Sequence, residues 1–118
     1  MKVQQIFNRI YVNEMDQTVE FYENLLGEKC GMRFEHKQLH VDLAQVGSIL
    51  IICGTDEVLK SLKDTRVTFI VDSIIEFKDF LSANGATILK ARKETPTGAT
   101  MTVRHFDGTV AEYVEQHN

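Results

Sequence analysis

The chain repeats itself once, and that repeat limits what it can become. Arg9-Ile10-Tyr11-Val12-Asn13 lines up with Thr68-Phe69-Ile70-Val71-Asp72, and with one single-residue gap before the next helix Gly27 falls on Gly85, and Gly47 falls on Gly108 where the second half is three residues longer. A period of about sixty residues is longer than solenoid units, and two copies are too few for an array. A duplicated half-domain is the expected architecture. Each half must build a sheet and cover one of its faces with a helix.

The local patterns supply those elements. Gln5 to Val12 alternates bulky apolar and polar side chains as a strand does, with Ile6, Ile10 and Val12 on one face and Phe7 and Tyr11 on the other. The apolar period then changes: Met15, Val19, Tyr22, Leu25 and Leu26 recur at helical spacing, Asn13 or Asp16 is placed to cap the start, and Gly27 stops it. Strands are predicted over Lys29 to Glu35, Gln38 to Gln45 and Ser48 to Cys53. Gly54 to Asp64 breaks the pattern, with Thr55, Asp56 and Glu57 capping a short helical turn over Val58 to Leu62. The second half runs in the same order. A strand over Arg66 to Val71 and a helix over Ser73 to Asn84 are followed by strands over Ala86 to Lys93, Ala99 to His105 and Thr109 to Glu115.

The predicted fold is therefore α+β. Two tandem β-α-β-β-β units (1–54 and 65–118, with a linker over 55–64) form a cupped mixed sheet in a single 118-residue domain. In each unit the helix covers one sheet face and the other is left free as the wall of a groove.

Charge and composition remove several function classes. The net charge is -4 and the thirteen basic residues are scattered, so the electrostatic footprint of nucleic-acid binding is missing. The longest apolar run, Ile49 to Cys53, is far short of the roughly 20 residues that span a bilayer, and the first residues have no basic-then-apolar leader pattern. Cys30 and Cys53 lack C-x-x-C spacing and suit reduced thiols in a cytoplasmic protein. No Ser-His-Asp order, P-loop or G-x-G-x-x-G is present, so hydrolysis by a serine nucleophile, phosphoryl transfer and dinucleotide binding have no motif behind them.

Two segments carry a family resemblance. Ile10-Tyr11-Val12-Asn13 leading into Phe21-Tyr22-Glu23-Asn24-Leu25-Leu26-Gly27, and Asp107-Gly108-Thr109-Val110-Ala111-Glu112 closing the second half, resemble the entry and closing motifs of the vicinal oxygen chelate superfamily, with Phe106 where a proline is usual. That group holds glyoxalase I, bleomycin-resistance proteins, fosfomycin-resistance proteins and extradiol dioxygenases. The resemblance spans essentially the whole chain and implies the glyoxalase-like fold.

In the family's metalloenzymes four inward positions hold a metal, and the resemblance puts Asn8, Ile51, Arg66 and Glu112 there. Ile51 offers no lone pair and Arg66 a fixed positive charge. A unit charge about 4 Å from a divalent ion costs roughly 8 kcal/mol at an effective dielectric near 20. Neither a metal site nor any other cofactor is therefore expected.

The expected ligand-binding residues are Asn8, His40, Arg66, Arg104 and Glu112. Glu112 lies between Val110 and Val114 on the inward face, and a carboxylate there needs a partner. Arg66 is the partner expected, either as a structural ion pair or as an anion binder beside Glu112 acting as acceptor or catalytic base. His40 shares a strand face with Asp42, open either to the groove or to solvent. Arg104 shares one with Thr100 and Thr102, while Met101 and Val103 take the other. His105 anchors the Phe106-Asp107-Gly108 turn.

Two functions remain open. One is a metal-independent small-molecule-binding protein like the bleomycin-resistance branch. The other is a glyoxalase-like lyase, isomerase or dioxygenase using Glu112 as base or as sole retained metal ligand. Family members commonly pair their sheets, so a homodimer is expected, without nucleic-acid or membrane partners.

Overall fold

The computed structural model describes residues 1–117. Along the chain the elements are β1 (Val3–Val12), α1 (Met15–Leu26), β2 (Arg33–His36), β3 (Val41–Val46), β4 (Ile49–Cys53), α2 (Asp56–Lys60), β5 (Thr65–Val71), α3 (Ile74–Ala83), β6 (Thr87–Thr95), β7 (Gly98–Arg104) and β8 (Val110–Gln116). This is the α+β order expected, twice β-α-β-β-β, with α2 in the stretch expected to link the halves.

The chain packs into two compact units: Phe7–Asp64, and Met1–Ile6 together with the chain from Thr65 onward. In the first unit β1 runs parallel to β4, with Ile10 opposite Ile51 and Val12 opposite Cys53. Antiparallel pairing then adds β3 to β4 and β2 to β3. In the second unit β5 runs parallel to β8, β8 pairs antiparallel with β7, and β7 with β6. Parallel neighbours cannot be joined by a tight turn, so each unit spends a helix and a hairpin on the crossover.

Helix α1 buries Met15 and Val19 against Ala44, Val46 and Ile51. Its N-cap is Glu14, with no side-chain cap bond. The two residues expected to cap it are engaged elsewhere: Asp16 pairs with Arg33, and the Asn13 amide donates to the Gly54 carbonyl and to Asp56. Gly27 ends the helix at φ 67, its N–H donating to the Glu23 carbonyl at 2.9 Å. That left-handed backbone is where glycine costs least.

Helix α3 is better capped. Ser73 accepts from the Glu76 N–H, and Glu115 on β8 accepts from the Ile74 N–H at 2.8 Å. The helix sets Ile74, Phe77 and Leu81 on Ala99, Met101, Val103, Ala111 and Tyr113. Ile74 and Met101 are sealed from solvent, and burial of such a side chain contributes about 1.5–3 kcal/mol.

Strands change face at every residue, so these cores also identify the uncovered faces. In the second unit Ala111 and Tyr113 belong to the core under α3, which turns Val110, Glu112 and Val114 to the opposite side. In the first unit Ile49, Ile51 and Cys53 pack with α1, which turns Leu50 and Ile52 to the opposite face beside Phe7, Arg9 and Tyr11, where Phe7, Leu50 and Ile52 are buried and the Tyr11 hydroxyl donates to the Leu62 carbonyl at 2.6 Å.

Candidate ligand-binding site

The uncovered face of the second unit holds the carboxylate that the sequence singles out. Glu112 on β8 is half-buried, and its Oε1 accepts a hydrogen bond from Thr68 Oγ1 at 3.4 Å. Thr68 faces it directly across the parallel β5·β8 pair and is itself 3% exposed. Thr102 is its antiparallel partner on β7. Because Met101 and Val103 lie in the core, Thr100, Thr102 and Arg104 share the uncovered face, as expected. The result is a row of hydroxyls around one carboxylate, with the exposed Arg104 two residues along.

Arg66 does not join this group. The register of β5 against β8 shifts between Thr65 and Val67, so the alternation that would have carried Arg66 alongside Glu112 is interrupted. Its side chain is exposed, and among the described residues no ion pair joins it to Glu112. The expected Arg66–Glu112 pair is corrected to a Thr68–Glu112 hydrogen bond.

Asn8 and Ile51 are displaced by one residue of register. Ile51 is 0% exposed in the core under α1, and Asn8, opposite Ile49, lies on the same helix-side row. Asn8 is exposed there. A slip of one position turns every side chain to the other face, and the row that faces away from α1 carries Phe7, Arg9 and Tyr11.

The metal positions implied by the resemblance therefore do not fit a metal. Ile51 is a buried hydrocarbon and Asn8 lies on the helix side, the opposite row carries Phe7, Arg9, Leu50 and Ile52, which offer no metal-binding lone pair, Arg66 is an exposed cation, and the remaining carboxylate is bonded to a threonine. Among the described residues no group of three or more His, Cys, Asp or Glu side chains is arranged to hold a metal ion.

His40 lies in the turn before β3, in left-handed backbone at φ 58. Its N–H donates to the Lys37 carbonyl at 3.3 Å. The predicted strand from Gln38 therefore begins only at Val41. His40 and Asp42 do lie together, but on a cavity of about 570 Å³ in the first unit that also touches Asn13, Glu35, Cys53 and Asp56. Asp42 belongs to the helix-side row with Ala44 and Val46, while Val41, which also lines the cavity, belongs to the opposite row. Burial, with Asp42 next, holds the Cys53 thiol above its ordinary pKa, which makes it a poor nucleophile.

His105 anchors its turn as expected: its N–H donates to the Thr109 carbonyl at 2.8 Å and its carbonyl accepts from Gly108. Its Nε2 also meets the Tyr113 hydroxyl at 2.7 Å. Two polar residues on the uncovered faces were not anticipated. Thr68 occupied an ordinary strand position with nothing to distinguish it. Arg9, by contrast, stands between Phe7 and Tyr11 at period two, a legible sign of a cation among aromatics.

No protein-family model and no curated protein matches the chain. Among solved structures, an uncharacterized protein from Methanosarcina mazei is 50% identical, with a TM-score of 0.92 over 99% of this chain and 95% of that one. Methylmalonyl-CoA epimerase from Mycobacterium tuberculosis is 16% identical, with a TM-score of 0.76 over 98% and 90% of the two chains. The Streptomyces coelicolor epimerase, solved with 2-nitronate-propionyl-CoA, is 16% identical with a TM-score of 0.76 over 99% and 100%. Likeness at that identity establishes the fold, which is the glyoxalase-like one of the vicinal oxygen chelate superfamily to which methylmalonyl-CoA epimerase belongs. At 50% identity over nearly its whole length, the chain belongs to the same family as the Methanosarcina mazei protein.

Proposed function

We propose that this protein binds a small molecule on the uncovered face of its second unit, without the superfamily's metal. The observation that carries the reading is the Thr68–Glu112 hydrogen bond. Thr68 occupies one oxygen of the carboxylate and holds the group in place, which leaves the other oxygen as acceptor for a ligand N–H or O–H. Arg104 supplies the complementary charge on the same face, and Thr100 and Thr102 supply hydroxyls between. The ligand class this suits is a small acid that carries a hydrogen-bond donor near its anionic group. A homodimer in a cytoplasmic setting, with Cys30 and Cys53 reduced, belongs to the same reading.

The test is a thermal-shift screen of small hydroxy and amino acids. A ligand at a hundred times its Kd stabilises a protein by about 2.7 kcal/mol. Binding that survives unchanged in both Glu112→Gln and Arg104→Met would falsify this assignment.

The fold shared with methylmalonyl-CoA epimerases supports a second reading, in which Glu112 is a catalytic base. Its carboxylate would take the proton from the carbon next to a thioester carbonyl, the electron pair would move onto the carbonyl oxygen, and return of a proton would complete the reaction. Deuterium incorporation at that carbon of methylmalonyl-CoA in heavy water, followed by NMR, separates the readings. Incorporation that disappears in Glu112→Gln supports the enzyme; its absence in a protein that binds supports the binder.

A further inference from the structure

On the face of the first unit away from α1, Arg9 stands among Phe7, Tyr11, Leu50 and Ile52, of which Phe7, Leu50 and Ile52 are buried. Among the described residues of that face it is the one permanently charged side chain. Its guanidinium lies over the Tyr11 ring, 5.5 Å from the centroid, which limits the planes it can adopt. Arg9 is half-buried, and its Nε is buried without a hydrogen-bond partner. Among the described residues no carboxylate lies within ion-pairing distance of it.

Arg92 makes the contrast. Its Nε is also buried and unpartnered, but its charge is balanced by Glu94 at 3.8 Å and Glu115 at 4.0 Å. Arg9 has the same orphaned donor without the balancing charge. A buried cation with an unmet N–H is a costly arrangement, and arginine cannot relieve it by losing its proton. An oxyanion removes both costs at once, because the guanidinium edge presents Nε and a terminal nitrogen as parallel donors to two oxygens.

We propose that Arg9 is an anion-binding residue and that the half-buried guanidinium takes the carboxylate or phosphate group of a ligand on the face of the first unit away from α1. This goes beyond the reading of Glu112 and Arg104, which lie in the other unit, and it stands or falls separately. Phe7 and Leu50, 5% and 9% exposed, keep the surroundings dry, so the interaction is screened less than a surface pair would be.

The experiment follows the arginine Nε–H resonances by NMR while the full chain is titrated with inorganic phosphate, with malonate, or with sodium chloride at matched ionic strength. The expected result is a saturable shift of the Arg9 Nε–H with phosphate, with malonate or with both, and none with chloride. Which anion acts tells phosphate from carboxylate recognition. In Arg9→Gln the binding should weaken about tenfold or more, as loss of a charge-assisted hydrogen bond requires. Arg9→Lys keeps the charge but not the fork, and should also bind more weakly. Absence of a saturable shift in the unaltered protein, or equal response to chloride, overturns the proposal without any variant having to fold. Undiminished binding by a folded Arg9→Gln overturns it too, and leaves Arg9 as a packing residue over Tyr11. Loss of ligand binding in Glu112→Gln with the Arg9 response intact would separate the two sites.

Discussion

The side chain of Glu115 on β8 accepts the first free N–H of helix α3, that of Ile74, at 2.8 Å. It thereby ties the last strand of the second unit to the helix that covers it. The hydrogen bond from His117 is the largest of several effects that hold this carboxyl below its ordinary pKa, and the bond from Ile74 is the next. A carboxylate with a depressed folded-state pKa contributes stability that is present above its unfolded value and lost as pH falls through the folded one. Stability to urea should therefore decline below about pH 4.5, and Glu115→Gln should flatten that decline. At neutral pH Glu115→Ala should cost about 1–2 kcal/mol, the usual loss for a helix cap.

Tyr113 titrates in the opposite sense. Burial pushes its phenol up to about 12, while its hydroxyl is bonded to His105. Its folded pKa is raised, so the stability it contributes is complete below about pH 10 and disappears as pH rises from there toward 12. Its ionisation should be displaced toward about pH 12 when tyrosinate absorbance is followed against pH. Tyr113→Phe should remove the step near pH 12 and cost about 1 kcal/mol by stranding the His105 ring.

A Cβ added at Gly98 would sit 1.8 Å from the Glu115 carbonyl oxygen, in backbone at φ 157. The obstacle is main chain of the neighbouring strand and cannot rotate away. Gly98→Ala should therefore destabilise by about 3 kcal/mol or prevent folding. Gly108, at φ 91 with open space around it, is the control: its alanine variant should lose only about 1–2 kcal/mol. Parallel urea titrations decide between them.

The corrected register makes a sharp comparison. Ile51→Ala removes a sealed side chain from beneath α1 and should cost about 2–5 kcal/mol. Asn8→Ala and Arg66→Ala change exposed side chains and should each stay within about 0.5 kcal/mol. None of the three should alter binding at Glu112. A large loss for Arg66→Ala would restore the ion pair that the geometry disfavours.

The elements themselves were legible because periodicity is a strong signal. The helix predicted over Met15 to Leu26 has those ends, and Ser73 to Asn84 contains α3 with Ser73 as its cap. Glu112, Thr100, Thr102 and Arg104 were assigned to the right face because hydrophobic Met101, Val103, Ala111 and Tyr113 alternate with them. Where alternation failed to inform, the site was misread. In β1 and β4 both faces are apolar, with Ile10 and Val12 on one and Phe7 and Tyr11 on the other, so polarity does not say which face the helix covers. Asn8 and Ile51 went to the wrong side for that reason. Arg66 was misplaced by an irregularity between Thr65 and Val67 that leaves no mark in the residue types. The Lys29 to Met32 stretch reads as strand but stays outside β2, and Gln38 to His40 is spent on a turn instead.

Strand β1 is divided between the two compact units, its first residues grouped with the chain from Thr65 onward and the rest with the first unit. Near that end the Lys2 N–H donates to the Asp72 carboxylate at 2.8 Å, and the Lys2 carbonyl accepts from the Asp72 N–H at 3.1 Å. On the ribosome, residues 1–6 must then wait for partners made some sixty residues later, on the order of 3–13 s at ordinary elongation rates. Cleavage between Asp64 and Thr65 should accordingly fail to yield two self-sufficient halves. The fragment starting at Thr65 lacks the segment that pairs with Asp72, and the fragment ending at Asp64 carries that segment with nothing to hold it.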